Sequence, residues 1–466
     1  MERRSESPAG TAAFNTESVQ SSARAWQILI LLCAANTFNF FDRSIPGVLG
    51  EPIRHHFALS DFQLGLLSTS FTLVFALAGI PLAWIADKFS RKMVIVVGLA
   101  MWTLATGLTA LAWNFESLAI LRVAVGIGEA SFGPAVVSTI ADLFPAHRRS
   151  KAVGLYMLGL PIGLLLSYGT VGFIAQAFDS WRAAFVVAAV PGIFLVFGAW
   201  RMLNDPVRGA ADEPDAPKGQ ERRSLGRVLK KPTVWFIILS GAAVNVGIYA
   251  VFSFIAPVLQ RYYGLPLQTA GAYSSLMIGA TGILGMGVGG WISDWMYRRH
   301  PEGRMLFGTA CMSLAGLATW YALSRNSDQI LLFGAAFGLG WLLQFQYYVV
   351  VYPVLQGIVE PHHRSRITAI YFACSYLLGG AYGPSIVGRV SDHFAHDAMT
   401  AAGALSMSER FKAIGLHDAM YLVPISLGLT ALFLLLATIF AHRERRAASG
   451  TSRNYFCAQR PRPGSD

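Results

Sequence analysis

Apolar residues come in long runs separated by short polar segments. The runs fall at roughly 27–50, 62–86, 93–113, 117–141, 151–177 and 183–203, then at 233–260, 270–296, 305–323, 329–356, 367–388 and 417–441. Each is about 20 residues or more, enough for a helix to cross ~30 Å of hydrocarbon. Backbone groups in lipid must be satisfied within the segment, so each run predicts a helix. The pattern predicts an all-α polytopic membrane protein of twelve transmembrane helices in two six-helix bundles. Its expected parts are a tail at 1–25, a bundle at 26–203, a linker at 204–231, a bundle at 232–442 and a tail at 443–466.

Composition agrees with the pattern. The chain is 54% hydrophobic and 14% charged over 466 residues, too apolar for an ordinary soluble protein. The first 25 residues are polar and lack a signal-peptide pattern, so the first span is expected to stay as an anchor. The net charge of +11 would suit a nucleic-acid binder, but its distribution says otherwise. With both termini in the cytoplasm, the outer side carries only Arg54, Arg182, Arg261, Arg325, Arg389, Arg410 and Lys412. Arg43 and Arg122 fall inside spans, and every other Lys and Arg lies on the cytoplasmic side. That bias is the positive-inside signal. It sets the expected orientation in the cell (inner) membrane and accounts for the charge without nucleic acid. Within the linker, RRSLGRVLKKP suits a short basic helix on the membrane surface.

The halves echo each other. LFPAHRRSKAVGLYM (143–157) follows span 4 and IVEPHHRSRITAIYF (358–372) follows span 10. AWIADKFSRK (83–92) follows span 2 and GWISDWMYRR (290–299) follows span 8. Two echoes at matching places argue duplication of a six-helix unit. Transporters built this way hold substrate near the midplane between repeats.

These features together resemble the major facilitator superfamily. That family's loop motif after span 2 runs Gly, three residues, Asp, a basic residue, any residue, Gly and two basic residues. Here Ala83 and Ser90 replace the glycines, while Asp87, Lys88, Arg91 and Lys92 remain. A narrower resemblance is to the Spinster-like branch of sphingosine-1-phosphate and lysophospholipid transporters. It rests on NFFDR (39–43), DKFSRK (87–92), RVAVGIGEASFGP (122–134) and DLFP (142–145). The resemblance implies a secondary transporter, not an enzyme, moving an amphiphilic lipid-like anion by alternating access. The compact loops suggest a bacterial source.

Four ionisable residues fall inside spans: Asp42 and Arg43 in span 1, Arg122 and Glu129 in span 4. An Arg or Asp at a helix centre costs ~2.5–3.5 kcal/mol on insertion scales. Four unpaired charges would cost on the order of 10 kcal/mol, comparable to a domain's net stability. They must be paired or hydrated. Arg122 and Glu129 are seven apart and return to within about 20° of one helix face. Gly126 lies between them, and Asp42 and Arg122 sit at similar depth. Asp42 and Glu129 are the expected proton-coupling residues. Arg122 or Arg43 would hold an anionic headgroup, since a guanidinium fork suits phosphate; proton and headgroup would then compete for an arginine. The bland alternative is a static pair that fixes helix packing.

The second half lacks such charges. Tyr347, Tyr348, Tyr371 and Gln344, with Asn39 in the first half, are the further expected substrate contacts. Aligning Pro46 with Pro257 puts Ser253 and Phe254 where the first half has Asp42 and Arg43. The resemblance implies a cytoplasmic gate at Asp87, Arg91, Lys92, Arg148, Arg149 and Asp294. Gly159, Pro161 and Gly163, and Gly379, Gly380, Gly383 and Pro384, suit close packing or bending.

Other motifs lead nowhere. GMGVGG (285–290) fits a dinucleotide pattern but lies in an apolar span with no strand before it. No Walker A sequence occurs. Cys33, Cys311, Cys374 and Cys457 have no zinc or disulfide spacing. The paired histidines 55–56, 362–363 and 393/396 fit loops better than a metal site. No cofactor or metal is expected; the expected partners are the substrate, protons and membrane lipids, with the chain a monomer. The rival functions are transport of another organic anion or drug, and a lipid-acting membrane enzyme, for which no nucleophile–base cluster is found.

Overall fold

The computed structural model describes residues 10–204, 226, 229–300, 302–358 and 364–458. The helices are α1 (Gly10–Val48), α2 (Gly50–Phe57), α3 (Asp61–Lys88), α4 (Arg91–Thr109), α5 (Phe115–Leu143), α6 (Ala146–Met157), α7 (Gly159–Ala177) and α8 (Trp181–Met202). There follow α9 (Pro232–Arg261), α10 (Leu267–Ser274), α11 (Thr281–Arg299), α12 (Gly303–Leu323), α13 (Ile330–Gln344), α14 (Gln346–Ile358), α15 (Arg364–Ser375), α16 (Gly383–Ala401), α17 (Glu409–Ala419) and α18 (Leu422–Ala458). Two π-helical turns, Ser275–Ala280 and Tyr376–Gly380, lie between α10 and α11 and after α15.

Local chemistry sets the ends. Asn114 and Ser117 form a reciprocal capping box that starts α5. Ser90 accepts from the Met93 N–H and starts α4. Many large apolar side chains stay exposed, such as Phe194 at 71% and Leu317 at 68%. Lipid is the solvent that accepts such a surface without penalty.

Among the described residues, eleven helical stretches are long and apolar enough to cross a membrane. The expected twelfth, 367–388, is not one continuous helix. It runs as α15, a π turn, a break at Ala381–Tyr382 and then α16. Pro384 near the start of α16 lacks an N–H for the preceding turn, which starts a helix more readily than it continues one. The basic surface helix expected from RRSLGRVLKKP lies largely outside the described residues, as do His362 and His363.

The chain forms two compact units. One comprises Met1–Leu49 and Val74–Lys218, the other Gly50–Leu73 and Gly219–Asp466. In the first unit α1 packs on α7 and α8, and α4 on α5 and α8. In the second, α9 and α12 pack on α18, α12 on α13, and α16 on α17. Helix α3 has its first turns, to Leu73, in the second unit and the rest in the first.

Candidate functional site

Two close helix crossings build the site in the first unit. A side chain at Gly163 of α7 would strike the Thr37 carbonyl and the Phe40 Cβ of α1. One at Gly128 of α5 would strike the Trp102 backbone of α4. These glycines bring the backbones together and seat α1, α4, α5 and α7 so that their polar residues meet.

The four in-span charges then form two ion pairs, wired crosswise. Arg43 donates to Glu129 Oε2 from Nε at 3.2 Å and from Nη2 at 2.8 Å. The same Nη2 lies 3.4 Å from Asn39 Oδ1. The Arg43 guanidinium also stands over the rings of Phe40 and Phe75, at 5.0 and 4.6 Å. Arg122 Nη1 lies 3.4 Å from Asp42 Oδ1, and the Thr106 hydroxyl of α4 donates to Asp42 Oδ2. All four charged side chains are buried, Glu129 completely. Glu129 Oε1 is buried without a hydrogen-bond partner among the described residues.

Sequence spacing pointed to Arg122 as the neighbour of Glu129. The bonds place Arg43 there instead, because adjacent residues on α1 point about 100° apart and reach two residues seven apart on α5. Thr106 escaped notice, since a threonine in an apolar run carries no signal of its partner. Such buried pairs are a poor source of stability: apolar residues of similar volume often do as well or better. A chain that keeps two of them invites a functional explanation.

In the second unit the tyrosines gather. The Tyr371 hydroxyl donates to the Tyr347 hydroxyl at 3.0 Å, which lies 2.8 Å from Ser240 Oγ. Tyr348 stacks on Tyr352, whose ring meets Tyr371 and Phe372. Tyr347 and Tyr371 are buried, whereas Tyr348 and Tyr352 are half-buried. Gln344 is buried nearby in sequence, and its Nε2 lacks a partner among the described residues. Ser253 bonds Ser68 and Phe254 is buried. The glycines of GMGVGG make room for Gln346, whose Nε2 donates to the Gly285 carbonyl.

The expected gate charges pair locally. Arg91 bonds Asp142, the acid of DLFP. Asp294 bonds Arg304 at 2.6 Å and not the neighbouring Arg298 or Arg299. Arg149 donates to the Ala141 carbonyl, and Arg148 is exposed. Lys92 is half-buried; the Asp87 side chain lies outside the described residues. Glu51, His55 and Glu409 bring ligand atoms within 4.8 Å of one another. Both carboxylates already bond arginine, so guanidinium groups stand where a metal would.

The profile of the Major Facilitator Superfamily matches residues 32–384. The chain belongs to the major facilitator superfamily. The transporter is similar to an MFS-type efflux pump of Mycolicibacterium smegmatis, 29% identical over 80% of this chain and 86% of the relative. It is also similar to the sphingosine-1-phosphate transporter SPNS2 of Xenopus tropicalis, 26% identical over 90% of this chain and 82% of the relative. Among solved structures, the inward-facing, unoccupied crystal structure of a bacterial homolog to the human lysosomal transporter Spinster superposes with a TM-score of 0.78. That chain is 26% identical, with 90% of this chain and 97% of the other covered. This is a multi-pass membrane transporter of Spinster-like kind, not an enzyme.

Proposed function

We propose that this chain is a proton-coupled secondary transporter of an amphiphilic, lipid-like anion such as a lysophospholipid or a sphingosine-1-phosphate-like molecule. The observation that carries the reading is the pairing of Arg43 with one oxygen of Glu129 while the other oxygen is idle. A proton added at Oε1 cancels the carboxylate charge and loosens its hold on Arg43. The guanidinium, no longer held by that charge, then takes an anionic headgroup. The Glu129 carboxylate and the headgroup thus compete for one arginine, so a proton on Glu129 favours headgroup binding, the linkage that coupling requires. Asp42 holds Arg122 as a second, neighbouring pair. The sphingosine-1-phosphate relative supports the substrate class, and the Lys and Arg bias supports cytoplasmic termini in the cell membrane.

The mycobacterial efflux pump favours a second reading, export of another organic anion or drug. One experiment separates the two: uptake of labelled lysolipid by proteoliposomes, with and without a pH gradient, against a panel of soluble drugs and organic anions. Gradient-stimulated lysolipid transport is expected. Transport of only the soluble compounds would sink the lipid assignment, and transport indifferent to the gradient would sink the coupling.

A further inference from the structure

The start of α9 and the stretch of α18 around Phe440 lie side by side in the second unit, far apart in the chain. Phe236 stacks on Phe440 with ring centroids 5.2 Å apart. One turn beyond, Glu444 Oε1 accepts from the Thr233 hydroxyl at 2.8 Å and faces the Thr233 N–H at 3.4 Å. Phe440 and Glu444 are four apart and share the face of α18 that meets α9; Arg443 stands at the edge of that face, over the Phe440 ring at 5.6 Å. Two bonds fix Lys230 and Lys231 beside it. The Trp235 indole N–H donates to the Leu229 carbonyl at 2.8 Å, and the Val234 N–H to the Lys231 carbonyl at 3.1 Å. Lys230 and Arg443 are exposed, Lys231 is half-buried, and Trp235 is 48% exposed.

Several basic residues at span ends meet an acid: Arg91 meets Asp142, Arg304 meets Asp294, and Arg445, about 200° around α18 from Arg443, meets Glu302 before α12. Among the described residues no carboxylate pairs with Lys230, Lys231 or Arg443, and the acid beside them, Glu444, is engaged by Thr233. The three cations gather around an indole one turn inside the end of the span Pro232–Arg261, the depth at which tryptophan meets lipid headgroups. The surface continues from there as apolar strips. Leu239 lies one turn from Trp235 on α9, and Ile439 and Leu435 lie one and two turns from Arg443 on α18; the three are 37%, 40% and 41% exposed. Basic groups at one end and exposed aliphatic side chains along the rest match the two ends of a phospholipid. Basic sites between membrane helices select anionic headgroups.

We propose that Lys230, Lys231, Arg443 and Trp235 form a binding site for one anionic phospholipid, its phosphate held by the three cations and its acyl chains lying along Leu239, Ile439 and Leu435. The site is separate from the Arg43–Glu129 pair and needs neither the substrate nor the coupling proposed above; in the proposed orientation it lies in the cytoplasmic leaflet. Native mass spectrometry of the full chain in detergent, with phosphatidylglycerol or phosphatidylcholine added, reads the affinity of the first lipid bound. Phosphatidylglycerol is expected to bind more tightly by about tenfold or more. A cation near the membrane surface contributes about fivefold to binding an anionic lipid. The triple variant Lys230→Gln, Lys231→Gln, Arg443→Gln should therefore bind phosphatidylglycerol about a hundredfold more weakly. Arg443→Gln alone should bind about fivefold more weakly and carries the test if the triple variant does not fold. Arg201→Gln with Arg298→Gln, which removes two exposed cations elsewhere, should leave the affinity near that of the parent. Equal loss per charge in both sets would mean unspecific attraction and overturn the site, as would equal binding of the two lipids by the parent. Loss in Arg43→Gln with the triple variant unaffected would put the lipid at the Arg43–Glu129 pair and overturn the surface site while favouring the transport reading. Displacement of phosphatidylglycerol by an equal concentration of glycerol phosphate would make the ligand a soluble anion and overturn the lipid assignment.

Discussion

Arg43 holds Glu129 by a single oxygen: Nε and Nη2 both end on Oε2, and Oε1 has no partner among the described residues. A bidentate fork would have used both oxygens. One-sided contact leaves the carboxylate a free face for a proton without displacing the arginine first. Asp42 differs, since Arg122 and Thr106 engage its two oxygens separately. The two acids are therefore not equivalent, and on the proposed function Glu129 is the one to exchange a proton.

Glu129→Gln keeps the size and removes the titration. It should abolish the response of uptake to a pH gradient while leaving counterflow down a substrate gradient measurable. A variant that still follows the gradient in proteoliposomes excludes Glu129 as the proton site.

Arg43→Ala strands a buried carboxylate, and losing one partner of a buried pair costs about 3–5 kcal/mol. Adding Glu129→Gln removes the stranded charge. The double variant should thus melt above the single Arg43→Ala variant in detergent. If the two lose stability additively, the residues do not act as a pair.

Thr106→Val takes the donor from Asp42 Oδ2 at nearly constant volume. A buried acceptor left unmade costs on the order of 1–3 kcal/mol, so the melting temperature should fall. Thr106→Ser, which restores the hydroxyl, should recover most of it. Equal losses in both would mean that the methyl group matters and the hydrogen bond does not.

The spans and the four in-span charges were legible because each is a one-dimensional signal: about 20 apolar residues, and a charge where charge is costly. Pairing is three-dimensional. Helix rotation put Arg122 and Glu129 on one face of α5, but the register of α1 against α5 decides that Arg43 reaches Glu129 and Asp42 reaches Arg122. The ion pairs of Arg261 with Glu51 and Asp61 were hidden for a different reason. Glu51, Arg54, Asp61 and Arg261 all sit at span ends, where a charge ordinarily faces water, and only folding buries them together. The break at Ala381–Tyr382 lay within a stretch whose glycines and proline signalled bending; hydropathy alone carried the run across it.

Gly163→Ala tests the crossing of α1 and α7. The added methyl meets the Thr37 carbonyl and the Phe40 Cβ, neither of which is the far end of a flexible side chain. Overpacking of this kind costs about 1–3 kcal/mol. Gly133→Ala on α5, with nothing within 4 Å of the new atom, should instead gain up to ~1 kcal/mol from helix propensity. Thermal melts of the two variants should shift in opposite directions.

The hydroxyls of Tyr371, Tyr347 and Ser240 form a chain with one direction. Ser240 gives its proton to the Ile237 carbonyl at 2.7 Å, so Tyr347 must donate to Ser240, and Tyr371 donates to Tyr347. Removing the first donor, Tyr371→Phe, empties one lone pair of Tyr347, a loss of about 0.5–1.5 kcal/mol. Removing the middle link, Tyr347→Phe, strands the Tyr371 donor and the Ser240 acceptor together, at about 1–3 kcal/mol. Tyr347→Phe should therefore melt lower than Tyr371→Phe, although each loses one hydroxyl. The comparison also bears on transport: a Tyr371 hydroxyl that serves substrate would raise the KM in Tyr371→Phe beyond what its small stability loss explains. An unchanged KM, with the melts in the expected order, assigns the chain to packing alone.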